Sequence, residues 1–80
     1  MIEQNDPDRG NDLAAFVRQR RRKNGLTQRQ LSELAGVGIR VISELERGKA
    51  TLRLDVVSAI LRVFGMRLGV VELRRARETL

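Results

Sequence analysis

Four short apolar stretches, each closed by a glycine, set the strongest limit on how this 80-residue chain can fold. Apolar residues recur at helical spacing in the stretches that end at Gly25, Gly36, Gly48 and Gly65. Glycine ends helices readily because it adopts the left-handed backbone conformation at little cost. The pattern predicts an all-α fold, a compact domain of four helices.

Capping residues indicate where the predicted helices begin and end. The first helix begins after Asn11 or Asp12, and the second begins at Thr27, which forms a capping box with Gln30. The third helix follows after a very short link, which forces a steep angle between the second and third helices. The fourth helix spans roughly Arg53 to Phe64.

The apolar pattern changes after the fourth helix. Met66, Leu68 and Val70 alternate with charged or small residues, which is typical of a half-buried strand. The chain offers no second strand, so the backbone of this one needs a partner molecule. The simplest partner is the same segment of a second copy, which predicts a homodimer joined through a short C-terminal β-strand over residues 66–73. An extension of the fourth helix or a frayed tail is the alternative.

Charge favours a nucleic-acid partner. The net charge is +6, and of the sixteen lysines and arginines only Lys23 and Lys49 are lysines. Guanidinium groups suit phosphate and the edges of guanine bases. With two phenylalanines as the only aromatic residues, the chain lacks the stacking surface of single-strand and RNA binders, so we expect double-stranded DNA. A basic domain without a nucleic-acid partner is the alternative.

Other classes of protein fit this composition poorly. The chain has no histidine or cysteine and no phosphate loop, so we expect no metal site, no cofactor and no enzymatic activity. No apolar run approaches the ~18 residues of a membrane span, and the N-terminus is acidic and polar, so we expect a cytoplasmic protein without membrane contact. We expect a flexible N-terminus over residues 1–11, a DNA-binding domain over 12–65, and a basic tail over 74–80 that contains Arg74, Arg75 and Arg77.

The most specific pattern lies between Gly25 and Gly48, G-L-T-Q-R-Q-L-S-E-L-A-G-V-G-I-R-V-I-S-E-L-E-R-G. This stretch closely resembles Xre/Cro-type helix-turn-helix domains, shared with phage repressors. In these domains G-L-T-Q, a small residue after Leu, G-V at the turn, I-S and L-E-R-G recur in this order. The resemblance covers about residues 13–66, and it implies a sequence-specific transcriptional repressor that binds a palindromic operator as a homodimer.

The third helix supplies the predicted base-reading residues. Its N-terminal part projects outward and fits the major groove. Arg40 is the best candidate, because a guanidinium pairs with guanine through two hydrogen bonds. Ile39 fits a thymine methyl group, Ser43 reaches a base or a phosphate, and Glu44 accepts from a cytosine amino group. Solvation alone is the more frequent role of an exposed glutamate.

Residues around the third helix are predicted to hold the DNA backbone. Thr27 and Gln28 lie beside free amides at the positive end of the second helix, which suits a phosphate, and the resemblance implies that role for Gln28 in particular. Gly38 belongs to the same group, and Lys49 and Arg53 are placed to contact phosphates on the far side. Helix capping alone is the alternative role of Thr27.

The resemblance also implies a structural ion pair between Arg21 and Glu46, which links the first helix to the end of the third. Arg21 belongs to a basic run, residues 18–23, whose charges are also explained by the negative end of a helix dipole.

Two further segments resemble HipB-type antitoxins, whose dimers join through a two-stranded intermolecular sheet. These segments are T-L-R-L at residues 51–54 and M-R-L-G-V at residues 66–70. The resemblance implies a second partner, a HipA-like serine/threonine kinase toxin, and repression of the protein's own operon. A stand-alone Xre-type regulator and an interaction module that has lost DNA binding are the alternatives.

Overall fold

A computed structural model describes residues 11–72, and its helices follow the glycine pattern. The four helices are α1 (Asn11–Lys23), α2 (Gln28–Ala35), α3 (Ile39–Glu46) and α4 (Leu54–Val63). Residues 11–72 contain no strand. The prediction of an all-α, four-helix domain is confirmed, whereas the C-terminal strand and its pairing stay predictions.

Three predicted boundaries differ from the structure. Asn11 is the first residue of α1, although the sequence placed it in the flexible segment or at the N-cap. Arg53 and Phe64 cap α4 at its two ends and do not belong to the helix itself. The rest of the predicted flexible N-terminus, the end of the predicted strand and the predicted basic tail lie outside the described residues.

The capping box of α2 is confirmed. The Thr27 hydroxyl accepts a hydrogen bond from the backbone N–H of Gln30 at 3.0 Å, and the Gln30 side chain accepts from the backbone N–H of Thr27 at 2.9 Å. At the other end Gly36 adopts a left-handed conformation, with φ of 73°, and donates its N–H to the carbonyl of Ser32. Only Val37 and Gly38 then separate this cap from α3, so the two helices are joined by a tight turn.

The core draws side chains from all four helices. Helix α3 packs against α1 and α2, and α4 packs against α2. Burying one large aliphatic side chain contributes about 1.5–3 kcal/mol, so the core fixes one side of α3 firmly. The largest fully buried side chains are Val17, Leu31, Ile42, Leu45 and Ile60.

The chain leaves the helical fold after Gly65, whose φ is 75°. Met66 donates its backbone N–H to the last turn of α4 at 3.0 Å, and its side chain packs against the core of its own chain. Residues 66–72 are neither helix nor strand, so the alternative of a longer fourth helix is wrong. Leu68, Val70 and Val71 are exposed to 39%, 102% and 80% of their full surface, so this segment presents apolar side chains to solvent.

Candidate nucleic-acid interface

Helix α3 has a buried side and an exposed side, and the predicted base-reading residues lie on the exposed one. Ile42, Leu45 and Glu46 face the interior. Every predicted base-reading residue is at least partly accessible: Ile39 and Arg40 are exposed, and Ser43 and Glu44 are half-buried. The N-terminal end of α3 is therefore open to a large partner.

The turn before α3 adds accessible backbone groups to this surface. Gly38 is the N-cap of α3, is exposed, and gives the helix no side-chain cap. Its φ is −71°, which any residue adopts, and a Cβ atom at this position would meet nothing within 4 Å. The fold of one chain therefore does not require glycine here, whereas close approach of an outside group to the backbone favours it.

Thr27 and Gln28 lie at the N-terminus of α2, but their side chains differ in availability. Thr27 is exposed, and its hydroxyl still has a hydrogen to donate after it accepts the capping bond. The side chain of Gln28 is half-buried and donates from Nε2 to Oε1 of Glu46 at 3.2 Å. One amide hydrogen of Gln28 is thus used inside the fold, which leaves its second amide hydrogen and its backbone N–H for a phosphate.

Lys49 and Arg53, the other predicted phosphate contacts, each pair with a carboxylate. Lys49 Nζ lies 3.3 Å from Glu44 Oε1, and Arg53 contacts the Asp55 carboxylate through two hydrogen bonds of 2.7 and 3.2 Å. Such exposed pairs contribute only about 0–1 kcal/mol. A phosphate can therefore replace either carboxylate at little cost.

Arg21 and Glu46 form an ion pair that ties α1 to the end of α3. Arg21 donates from Nε to Oε2 of Glu46 at 2.7 Å and from Nη2 to Oε1 at 3.0 Å. A third hydrogen bond runs from Arg21 Nη1 to the Leu26 carbonyl at 2.8 Å, and Arg18 donates to the backbone carbonyl of Glu46 at 2.8 Å. The side chains of Arg21 and Glu46 are only 12% and 4% exposed, so the pair is largely shielded from water.

The surroundings of Glu46 favour its charged form. Burial alone acts to raise the pKa of the Glu46 carboxyl, but the hydrogen bonds from Arg21 and Gln28 and the charges of Arg21 and Arg18 outweigh it, and the pKa is lowered. The hydrogen bond to Glu46 likewise raises the pKa of Arg21. Both members of the pair therefore remain charged at neutral pH.

Sequence reasoning missed one residue of this surface, Arg47. It follows the last residue of α3 with right-handed helical backbone angles, and its side chain is exposed. Seven residues after Arg40 and four after Ser43, it continues the same face of the helix for one more turn. That spacing was visible in the sequence and is the signal that could have identified it.

Two short helices joined by a tight turn, the second presenting an open N-terminal end, define a helix-turn-helix unit. Residues 17–71 match the helix-turn-helix family, and the chain belongs to it. It is also 37% identical over 60 residues to the uncharacterized HTH-type transcriptional regulator y4mF of Sinorhizobium fredii (strain NBRC 101917 / NGR234), an alignment that covers 75% of this chain and 79% of that relative. These relationships identify a helix-turn-helix regulator and not an enzyme.

None of the helices within residues 11–72 is both long and apolar enough to cross a bilayer.

Proposed function

We propose that this protein is a transcriptional repressor that binds a specific double-stranded DNA sequence as a homodimer. The observation that carries the proposal is the open N-terminal end of α3, where Ile39 and Arg40 are exposed while Ile42 and Leu45 anchor the opposite side. A helix held in this way fits the major groove, where each base pair presents a distinct pattern of donors and acceptors. The similarity to an HTH-type transcriptional regulator supports the same function.

The proposed roles divide by position on the surface. Arg40, Ile39, Ser43 and Glu44 read base edges, because they share the outward side of α3. The DNA backbone is held from both sides of that helix. The proposed phosphate contacts are Thr27, Gln28 and Gly38 at its leading end and Lys49 and Arg53 beyond its trailing end.

Selection of bound duplexes from a randomised DNA pool tests the function directly. A recurrent site made of two inverted half-sites is the expected result, because two-fold symmetry of the protein imposes two-fold symmetry on its operator. Recovery of duplexes without any common sequence would contradict sequence-specific binding. That result would favour the alternative of an interaction module without DNA recognition.

Arg40→Ala is expected to weaken binding to the selected duplex by roughly 5- to 150-fold, about 1–3 kcal/mol, because it removes the bidentate pair to guanine. Binding to a random duplex should change little, since this contact carries sequence information. Gel-shift titrations of both duplexes measure the two effects. Arg62→Ala, at an exposed arginine in the last turn of α4, is the matched control for loss of one charge. Equal losses on both duplexes would show that Arg40 does not read a base.

The homodimer part of the proposal is supported by the segment after α4. Leu68, Val70 and Val71 are apolar and exposed, and residues 66–72 pair with no strand within the described range 11–72. Antiparallel pairing with the same segment of a second copy would cover these side chains and satisfy the backbone groups. In this arrangement Leu68 and Val70 face the partner. Met66 anchors the segment to its own domain, because it packs there already.

The narrower proposal is that the dimer is the antitoxin of a HipBA-like toxin–antitoxin pair, with a HipA-like serine/threonine kinase as its second partner. It is supported by the resemblance of residues 51–54 and 66–70 to HipB-type antitoxins, and a stand-alone Xre-type regulator is the alternative. Co-expression with the product of a neighbouring kinase-like gene tests it. An antitoxin should co-purify with that kinase and restore growth to cells that express it. A stand-alone regulator should do neither.

A further inference from the structure

The basic run at the end of α1 divides into two sets of side chains. Arg18 and Arg21 turn toward Glu46 and are used in the fold, as their hydrogen bonds show. Arg22 is exposed. It lies four residues after Arg18 on the same helix, so it shares a face with Arg18 and sits one turn closer to the loop that leads to Thr27.

Arg47 approaches the same region from α3. The Arg18 guanidinium contacts the backbone carbonyl of Glu46, the residue immediately before Arg47. Arg22 therefore lies one helical turn beyond a residue that contacts the end of α3, and Arg47 immediately follows the residue that is contacted. We call this region, where the end of α1 meets the end of α3, the α1–α3 junction.

This junction has more positive than negative charge among the described residues. Its carboxylate, Glu46, already accepts two hydrogen bonds from Arg21 and one from Gln28. Arg22 and Arg47 make no side-chain hydrogen bond or ion pair with any residue between 13 and 72. Two exposed guanidiniums are thus available to an anionic partner.

We propose that Arg22 and Arg47 form a second backbone-contact patch, which binds DNA phosphates beside those held by Thr27 and Gln28. The inference rests on the proposed function and adds two cations to it. A phosphate backbone is favoured over an acidic protein because Arg47 continues the face that carries Arg40 and Ser43, so DNA lying along α3 passes this patch. Phosphates recur along each strand at about 3.4 Å of axial rise, so a strand that passes this patch presents several successive phosphates to it.

The salt dependence of binding to a 30-base-pair duplex of random sequence tests the patch. Each phosphate contact steepens the fall of log K with log salt concentration by about 0.9. Arg22→Gln and Arg47→Gln should each reduce the magnitude of this slope by about 0.9 per protomer, and the double variant by about twice that. Arg62→Gln, which removes one exposed charge from the last turn of α4, should leave the slope unchanged.

Arg62 suits this comparison because it lies nine residues after Arg53, which places it roughly 13 Å farther along α4 than that proposed phosphate contact. Thermal melts of all the variants should superimpose on the wild type, because the substituted side chains are exposed. A slope change in only one of the two patch variants, or an equal change in Arg62→Gln, would overturn the patch.

The outcome also separates this inference from the proposed function. Wild-type protein that binds the selected duplex in preference to the random one, with slopes unaltered by Arg22→Gln and Arg47→Gln, would overturn the patch alone. Wild-type protein that binds neither duplex would overturn the function and the patch together.

Discussion

Removal of residues 67–80 is expected to convert the homodimer to a monomer and to weaken binding to a duplex with two half-sites by at least ~10²-fold. The expected size follows from linkage, because a joined second domain meets its half-site at an effective concentration in the millimolar range. Binding to a single half-site should change much less. The cut is placed after Met66 because that residue packs against the domain's own core and must be kept.

Sedimentation velocity and gel shifts on duplexes with one and two half-sites measure these effects. A second truncation that removes residues 74–80 is the matched control, since it deletes Arg74, Arg75 and Arg77 but keeps the proposed strand. The control should stay dimeric. Sedimentation of the shorter chain at the rate of the full one would show that the segment after Met66 does not join the two copies.

Arg21→Met is expected to lower the free energy of unfolding by about 3 kcal/mol, because it leaves the Glu46 carboxylate buried without its main partner. For a domain of this size that corresponds to a fall in Tm of roughly 12–24 °C. Urea unfolding and calorimetry measure both quantities. Arg22→Met is the matched control, since it makes the same change at the next residue, where the side chain is exposed. Equal stability of the two variants would contradict a structural role for the ion pair.

Acid should reduce the difference between wild type and Arg21→Met. The pKa of Glu46 is lowered in the folded protein, so the folded state binds fewer protons at this group than the unfolded chain does. The pair's contribution is therefore fully present above about pH 4.3, the ordinary pKa of glutamate. It declines as the pH falls through the lowered value. Unfolding measured at a series of pH values from 7 downward should show the largest difference at pH 7 and a steadily smaller one once the pH falls below the ordinary pKa of glutamate.

Local signals made much of this fold predictable. The capping box of Thr27 and Gln30 and the left-handed cap at Gly36 depend on residues within one turn of each other, so the sequence displays them directly. The buried side of α3 follows from apolar spacing in the same way. All four glycines that the sequence marked as helix ends have positive φ in the structure, namely Gly25, Gly36, Gly48 and Gly65.

Contacts between distant residues account for what the sequence did not predict. The Gln28 side chain donates a hydrogen bond to Glu46, eighteen residues away. No pattern among neighbouring residues predicts that contact. Met66 packs into its own core although alternation grouped it with Leu68 and Val70. The alternation of apolar and polar residues shows which side chains share a face of a strand. It does not show which of those side chains are buried in the core of their own domain.

The division of α3 into an anchored and an open side has a consequence for how this protein can diversify. Ile39 and Arg40 are exposed, so exchanging them disturbs little of the packing that holds the domain together. Ile42 and Leu45 keep the helix in place whatever stands on its outer side. The product of a duplicated gene could therefore come to recognise a different operator sequence through a few surface substitutions. Its thermal stability would change little.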